Sequence, residues 1–338
     1  MRQKIISIFY AFLAACFYAV NMPVSKTLLQ TVPPTMLAAF LYLGAGLGVG
    51  GMYLLRKDKK QEENLTKKDL PYTVGMIALD IFAPIALMFG LARTTSANAS
   101  LLNNFEIAAT SVIALVIFKE TISKRLWLAI FLVTLSSALL SFEDISSLRF
   151  SYGSLLVLLA AVCWGLENNC TRKISSKNTY EIVTLKGIGS GLGSLVIAFF
   201  LGEKFPGAKH IVFALALGFV AYGLSIFFYI KAQSFLGAAK TSAYYAVAPF
   251  IGAFLSFVFL REALSPSYAL ALLLMVAGTI LIAADTLLTS HAHLHTHTIV
   301  HTHDGVTHTH VITHSHPHSH LREESEHTHH HAIDKIAP

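Results

Sequence analysis

Charge is scarce in this chain. Of its 338 residues only 13% are Asp, Glu, Lys or Arg, whereas 54% are hydrophobic. A soluble domain usually carries about a quarter of its residues as charges, so that class is excluded first. Cysteine is equally sparse: Cys16, Cys163 and Cys170 all sit inside apolar runs, which implies no disulfide framework and leaves the redox compartment open. No Gly-rich loop ending in Lys-Ser/Thr occurs, so energy from ATP bound in such a loop is excluded. No catalytic constellation stands out either, and the chain is not read as an enzyme. Histidine is nearly missing from the first 290 residues, where His210 stands alone, yet sixteen histidines crowd positions 291 to 331. The net charge of +6 does not point to nucleic acid, because the cations lie in short loops between hydrophobic segments, where they orient a chain in a bilayer.

What is present is long apolar sequence. A spanning helix needs roughly 20 apolar residues, and ten segments qualify: 5–29, 35–55, 71–92, 97–118, 125–142, 152–175, 180–202, 210–232, 239–260 and 267–288. The expected fold is an all-α integral membrane protein in a lipid bilayer. Breaker signals such as Pro33-Pro34, Ser265-Pro266 and the run Arg56-Lys57-Asp58-Lys59-Lys60 separate the segments. With both termini cytosolic, sixteen Lys and Arg fall on inside positions and five (Arg93, Arg149, Lys204, Lys209, Arg261) outside, which favours that orientation, with the inner cell membrane as the location. A rival reading of the start as a lipoprotein signal ending at Cys16 conflicts with the apolar run continuing to Leu29.

The chain repeats itself. Residues 13–29, LAACFYAVNMPVSKTLL, align without gaps on 159–175, LAAVCWGLENNCTRKIS, and 118–123, FKETIS, aligns on 260–265, LREALS. Both matches have nearly the same offset, so two five-helix units are expected, residues 1–142 and 143–289, followed by a tail at 290–338. Five is odd, so the two copies are inverted relative to each other, the architecture of secondary transporters. Tyr18, Trp164-Gly165, Lys119-Glu120, Arg261-Glu262 and Ala248-Pro249 resemble landmarks of the EamA family of the drug/metabolite transporter superfamily. The resemblance covers about 5–288 and implies ten helices around a central cavity and transport, often export, of small metabolites. One departure is that Glu106-Ile107 stands where the second half has Ala248-Pro249.

Polar residues inside a bilayer are costly and so carry the functional reading. Glu106 lies mid-segment with Asn103 one turn earlier and Asn104 beside it. Asp80 precedes Pro84 by four residues, so the proline frees the carbonyl of residue 80. Pro23 does the same to Ala19 near Asn21. Glu167 and Asn168 share the sixth segment with Trp164, and Cys163, Glu167 and Cys170 fall on one helical stripe that would suit a borderline-soft divalent ion. Tyr18 and Trp164 offer aromatic walls. The expected substrate-binding set is therefore Glu106, Asn103, Asn104, Asp80, Glu167, Asn168, Asn21, Trp164 and Tyr18, with Glu106 and Glu167 as candidates for charge recognition or proton coupling. Lys26, Arg172 and Lys186 lie near enough to segment ends to snorkel into the interface.

In the tail, His291, His293, His295, His297, His301, His303, His308, His310, His314, His316, His318 and His320 alternate with other residues on both sides of Asp304-Gly305. Such alternation around a turn dipeptide suits a hairpin with imidazoles on one face, either disordered or ordered by metal. Zinc, nickel, cobalt or copper on the tail is the expected ligand class, and no other cofactor is required. Three functions follow: a metabolite exporter working by alternating access, a divalent-metal efflux carrier using the tail as a buffer or sensor, or a membrane-anchored metal buffer. A homodimer is compatible with each.

Overall fold

The computed structural model describes residues 2–56, 63–118, 123–144, 149–174, 177–236, 241, 244–262, 266–303 and 306–321. Two compact units are present, a helical body over Met1–Ala283 and a second unit over Ala284–Pro338. The body is built from α1 (Arg2–Ala19), α2 (Asn21–Leu28), α3 (Pro34–Leu55), α4 (Leu70–Arg93), α5 (Ser96–Leu102), α6 (Phe105–Phe118), α7 (Lys124–Ser141), α8 (Tyr152–Ile174), α9 (Thr179–Phe200), α10 (Ala208–Gly218), α11 (Ser225–Leu236), α12 (Ala248–Leu260) and α13 (Pro266–Leu287). Among the described residues nine helical stretches are long and apolar enough to cross a membrane. The expected segment 239–260 is represented by the shorter α12, and residues 239, 240, 242 and 243 ahead of it lie outside the described set. A small ladder, β1 (Phe142–Asp144) on β2 (Arg149–Phe150), joins α7 to α8.

Four of the long hydrophobic segments are not regular helices throughout. The first breaks at Val20, between α1 and α2, three residues before Pro23. The fourth breaks at Asn103–Asn104, where the bonds tighten: Asn104 N donates to the Leu101 carbonyl at 3.0 Å and Glu106 N to that of Asn103 at 3.1 Å. Asn competes for backbone groups with its own amide, which is why it ends helices. The ninth segment has a turn at Ala246–Val247 just before α12, with Pro249 in the first turn of that helix. The eighth widens into a π turn at Phe219–Leu224. Breaks at 103–104 and 246–247 sit at matching places in the two halves, so the proline of one half and the asparagine pair of the other produce the same interruption.

The packing respects the repeat. α3 packs along α9, its counterpart in the other half, and α5 packs along α12, so the fourth and ninth segments also meet. α4 packs along α8, and the corresponding pair in the other half, α11 with α1, is also in contact; α6 with α8 is matched by α12 with α1. Both self-paired contacts close the same way at one end. Glu203, after α9, accepts from the Thr35 and Met36 amides at the start of α3, at 3.2 and 2.8 Å. Glu262, after α12, accepts from the Ser96 and Ala97 amides at the start of α5, at 2.7 and 2.8 Å. A carboxylate there satisfies orphan amides and meets the positive end of the helix dipole. Glu262→Ala is expected to cost about 1–2 kcal/mol of stability, read as a lowered melting temperature of the detergent-purified protein. Lys26 meets a helix C-terminus instead, donating to the carbonyls of Leu91, in the last turn of α4, at 2.6 Å and of Thr94, just past it, at 2.7 Å, rather than reaching only water.

The interior is close-packed around Met36, Leu41, Leu87, Met88, Leu101 and Met275, all fully buried. Serines stitch helices together, as with Ser136 donating to the Ala271 carbonyl at 2.7 Å and Ser225 to that of Ala14 at 2.9 Å. The outer surface keeps large apolar side chains exposed, among them Phe82, Val116, Phe131, Phe199 and Leu273. In water this would be an aggregation hazard, and in lipid it is the expected surface.

In the second unit, β3 (Leu288–His303) pairs antiparallel with β4 (Val306–Leu321). The register sets His291 opposite His318, His293 opposite His316, His295 opposite His314 and His301 opposite His308. Asp304 and Gly305, between the strands, and His327 to His331 lie outside the described residues.

Candidate functional site

Asp80, fully buried, sits in α4 four residues before Pro84. Tyr42 of α3 donates to its Oδ1 at 2.9 Å, and Trp164 Nε1 of α8 donates to the same oxygen at 3.1 Å. Its Oδ2 meets Lys186 Nζ of α9 at 3.0 Å. Lys186 Nζ is also 3.0 Å from Glu167 Oε1 of α8, and that carboxylate accepts from the Thr171 hydroxyl one turn on. One ammonium thus lies between two carboxylates from different helices, with side-chain exposures of 13%, 0% and 2% for Lys186, Asp80 and Glu167.

Lys186 does not snorkel. Its proximity to the start of α9 made that reading natural, but α9 runs Lys186-Gly187-Ile188-Gly189-Ser190-Gly191, and those glycines let α3 and α4 approach closely. An ideal Cβ on Gly187 would fall 2.4 Å from the Gly46 amide nitrogen of α3, and one on Gly189 would meet the Ile77 side chain of α4 at 2.9 Å. Held that near α4, the lysine stem ends between Asp80 and Glu167.

A second polar group adjoins the first. Glu106, in the first turn of α6, accepts from Asn168 Nδ2 of α8 at 2.7 Å, and the same amide lies 3.3 Å from the Thr110 hydroxyl. Asn169 donates to the carbonyls of Gly165 and Thr110 at 2.8 and 3.3 Å. Asn103 donates to the Tyr18 hydroxyl at 3.0 Å, and Asn21 donates to that of Tyr222 at 3.0 Å while accepting from Ser25 at 2.9 Å. Tyr222 links the groups, its ring centroid 5.2 Å from Tyr42 and 5.8 Å from Tyr18; Tyr245 lies 6.0 Å from Tyr18. Each expected binding residue thus has a defined place: Asp80, Glu167 and Trp164 in the charged triad, Glu106 with Asn168 beside it, Asn103 with Tyr18, and Asn21 with Tyr222. Asn104 is also buried, but neither its carbonyl nor its amine has a hydrogen-bond partner among the described residues. Lys186, Tyr42, Tyr222 and Tyr245 complete the arrangement.

Cys163 and Cys170 do not join Glu167 in a metal site. Cys163 lines an apolar groove of about 410 Å³ on the outer faces of α4 and α8, beside the exposed Phe82 and Tyr152, while Cys170 packs with Met76, Ile174 and Ile182. Among the described residues no three His, Cys, Asp or Glu side chains converge as a metal site would require. That groove is lipid-facing, and the polar cluster lies elsewhere. A smaller cavity, lined by Tyr18, Met22, Ser100, Asn103, Pro249 and Gly252, opens at the break between α5 and α6 and reaches the facing break before α12.

Comparison with known proteins gives a consistent answer. The profile of the EamA-like transporter family matches the chain twice, over residues 5–142 and 151–284. An uncharacterized transporter of Methanothermobacter thermautotrophicus is 25% identical over 292 residues, covering 80% of this chain and 83% of that protein. The uncharacterized transporter YyaM of Bacillus subtilis is 27% identical over 235 residues, covering 66% and 76%. A crystal structure of a protein at 17% identity superposes with a TM-score of 0.62 over 82% of this chain and 96% of its own.

Proposed function

Because this chain belongs to the EamA-like transporter family and is a multi-pass membrane transporter, we propose that it is a secondary exporter of a small metabolite, working by alternating access with both termini in the cytosol of the cell that carries it in its inner membrane. The observation that carries this reading is the meeting of Asp80, Glu167, Lys186 and Glu106 beside broken helices of both halves. Such charge is too expensive to hold at membrane depth for packing alone. Discontinuous helices at the contact between two repeats are where a transporter places its solute, since the freed backbone groups line a cavity there. Units 1–142 and 143–289 then rock about the self-paired contacts of α3 with α9 and α5 with α12. Flux would be read by counterflow in liposomes holding the full-length protein, screened over small amines, amino acids and neutral metabolites. The proposal requires at least one solute whose exchange exceeds that of protein-free liposomes and is lost when Asp80 is changed to Asn together with Glu106 to Gln.

A second reading concerns the tail alone, and the strand register favours it. In an antiparallel pair, opposed positions share a face, and a strand returns to that face every second residue. The four opposed histidine pairs and the alternating spacing put all twelve alternating histidines at positions of one face. We propose that this hairpin binds a divalent transition metal, zinc, nickel, cobalt or copper, through neighbouring pairs, and acts as a buffer or sensor rather than as the transported ion's path. The discriminating variant keeps the histidine count: exchanging Thr313 with His314 and Ser315 with His316 moves two of them to the opposite face. Zinc bound per full-length chain, measured after equilibrium dialysis, is expected to fall. An unchanged zinc content would show that the count of imidazoles matters and the pairing does not.

A further inference from the structure

The contact of α4 with α8 is tight inside and open toward lipid. Gly90 and Gly153 bring the two backbones together: a Cβ on Gly90 would fall 2.8 Å from the Gly153 carbonyl oxygen, and one on Gly153 would fall 2.8 Å from the Arg93 carbonyl carbon. α4 lies in the first repeat and α8 in the second, so this contact is a seam between the halves. On the lipid side the seam does not fill. Ala86 is short there, and a groove of about 410 Å³ runs from Arg93 and Tyr152 at one end to Phe82 and Cys163 at the other. That volume falls in the range of ligand pockets, about 300–1,000 Å³.

The seam related to it by the repeat is closed by side chains. At the repeat offset Leu156 corresponds to Tyr10 and Cys163 to Phe17, and both of those rings pack on Phe228 of α11, at centroid distances of 5.3 and 5.8 Å. The groove is therefore not imposed by the repeat. It is space that smaller side chains leave, and an apolar wall without partner atoms forfeits its dispersion contacts. Its length suits one leaflet. At about 1.5 Å per helical residue, Phe82 to Arg93 and Tyr152 to Cys163 each span roughly 16 Å, close to half of a hydrocarbon core about 30 Å thick. Charge marks one end only. The exposed Arg93 guanidinium donates to the Phe89 carbonyl at 3.0 Å and lies 5.5 Å from the centroid of the Phe89 ring, and no carboxylate among the described residues pairs with it. Tyr152 sets an exposed phenol at the same end.

We propose that this groove is a binding site for an anionic phospholipid, whose phosphate sits on Arg93 and the Tyr152 hydroxyl while one acyl chain lies along the seam as far as Cys163. A guanidinium matches phosphate oxygens with two parallel N–H bonds, and a phenol adds a third donor. The chain takes the place that Tyr10 and Phe17 take against Phe228 in the related seam, and it restores the missing contacts. The headgroup class follows from the charge. A zwitterionic headgroup brings a cation of its own to an arginine that has no acid beside it, whereas an anionic headgroup supplies the counter-charge. Because the lipid touches α4 of one repeat and α8 of the other, it ties the two halves together on the side where α4 ends.

Two measurements on the full-length protein test this. In phosphatidylcholine liposomes, a phosphatidylglycerol carrying a diazirine at the end of one acyl chain should, on irradiation, label the peptides that hold Phe82 and Cys163. Excess unlabelled phosphatidylglycerol should displace that label. A phosphatidylcholine with the same diazirine should label those peptides no more than the peptide around the lipid-exposed Leu273 of α13. Arg93→Gln should lower the specific labelling about fivefold, the factor one surface cation contributes toward an anionic lipid. Leu156→Tyr with Cys163→Phe, which installs the residues of the related seam, should abolish it while Arg93 stays. The second measurement is the melting temperature of detergent-purified protein, which phosphatidylglycerol should raise and neither phosphatidylcholine nor diacylglycerol should, with the response reduced in Arg93→Gln and absent in the filled groove. All three positions face lipid, so the lipid-free melting temperatures of the variants report whether they fold. Equal labelling of the groove by both lipid classes would overturn the proposal, as would wild-type labelling in Arg93→Gln, since either would show ordinary contact with the bilayer.

Discussion

Lys186→Met is expected to destabilise the folded protein by about 3–5 kcal/mol, the largest loss anticipated for any side chain in the polar cluster. The methionine fills much the same volume, so the loss is electrostatic. Asp80 and Glu167, 0% and 2% exposed, would be left as facing carboxylates with no shared cation and little water to screen them. The measurement is the unfolding midpoint of detergent-purified protein against temperature or denaturant. Adding Asp80→Asn and Glu167→Gln to Lys186→Met should recover most of the loss, because the new amides still accept from Tyr42, Trp164 and Thr171 without bearing charge. A single variant within about 0.5 kcal/mol of wild type would mean the triad is not energetically linked. Glu106→Gln should behave oppositely and leave stability unchanged or raised, since it removes a carboxylate that no described cation compensates. The Asp80–Glu167 pair and Glu106 thus separate by the sign of the stability change when the charge balance around each is altered.

How far the sequence reached depends on the physics behind each signal. The apolar segments were legible because bilayer thickness sets their length; of 239–260, the described residues give the shorter α12 after a turn at Ala246–Val247. Asp80, Glu106 and Glu167 stood out because burial of charge is conspicuous in an apolar run. Their sorting into a compensated triad and a separate acid was not legible, since it depends on which helices adjoin, and that is a property of three dimensions. Lys186 shows the limit most clearly. Distance from a helix end is readable along the chain, but whether a lysine turns to the interface or inward depends on what its helix packs against. The break at Asn103–Asn104 was missed for a local reason. A proline is the familiar signal for an interrupted helix, and the first half has Glu106-Ile107 where the second has Ala248-Pro249. The paired asparagines held the signal, since two adjacent amides compete with the backbone they follow.

Gly187→Ala should be nearly as damaging as loss of Lys186, although it adds one methyl group. The new Cβ would stand 2.4 Å from the Gly46 amide nitrogen and 2.8 Å from the Tyr42 carbonyl oxygen. Backbone cannot rotate out of the way as a flexible side chain can, so α3 and α9 must separate along a contact where the two halves of the molecule meet. Overpacking of this kind costs about 1–3 kcal/mol and more when the obstacle is main chain. Two further losses follow from the same shift. Lys186 is the adjacent residue, and moving α9 away from α3 draws its ammonium from Asp80; Tyr42, whose hydroxyl serves Asp80, sits on the opposing helix. The expected result is a lowered melting temperature together with weakened solute exchange, and Gly46→Ala should reproduce it, because a Cβ there would lie 2.6 Å from the Ile188 amide nitrogen. Gly51→Ala on the same helix α3 is the internal control. Nothing lies within 4 Å of its added Cβ, so only helix propensity changes, and stability should rise by up to about 1 kcal/mol. If Gly187→Ala and Gly51→Ala move the melting temperature in the same direction, the close approach of α3 and α9 is not what sets the position of Lys186.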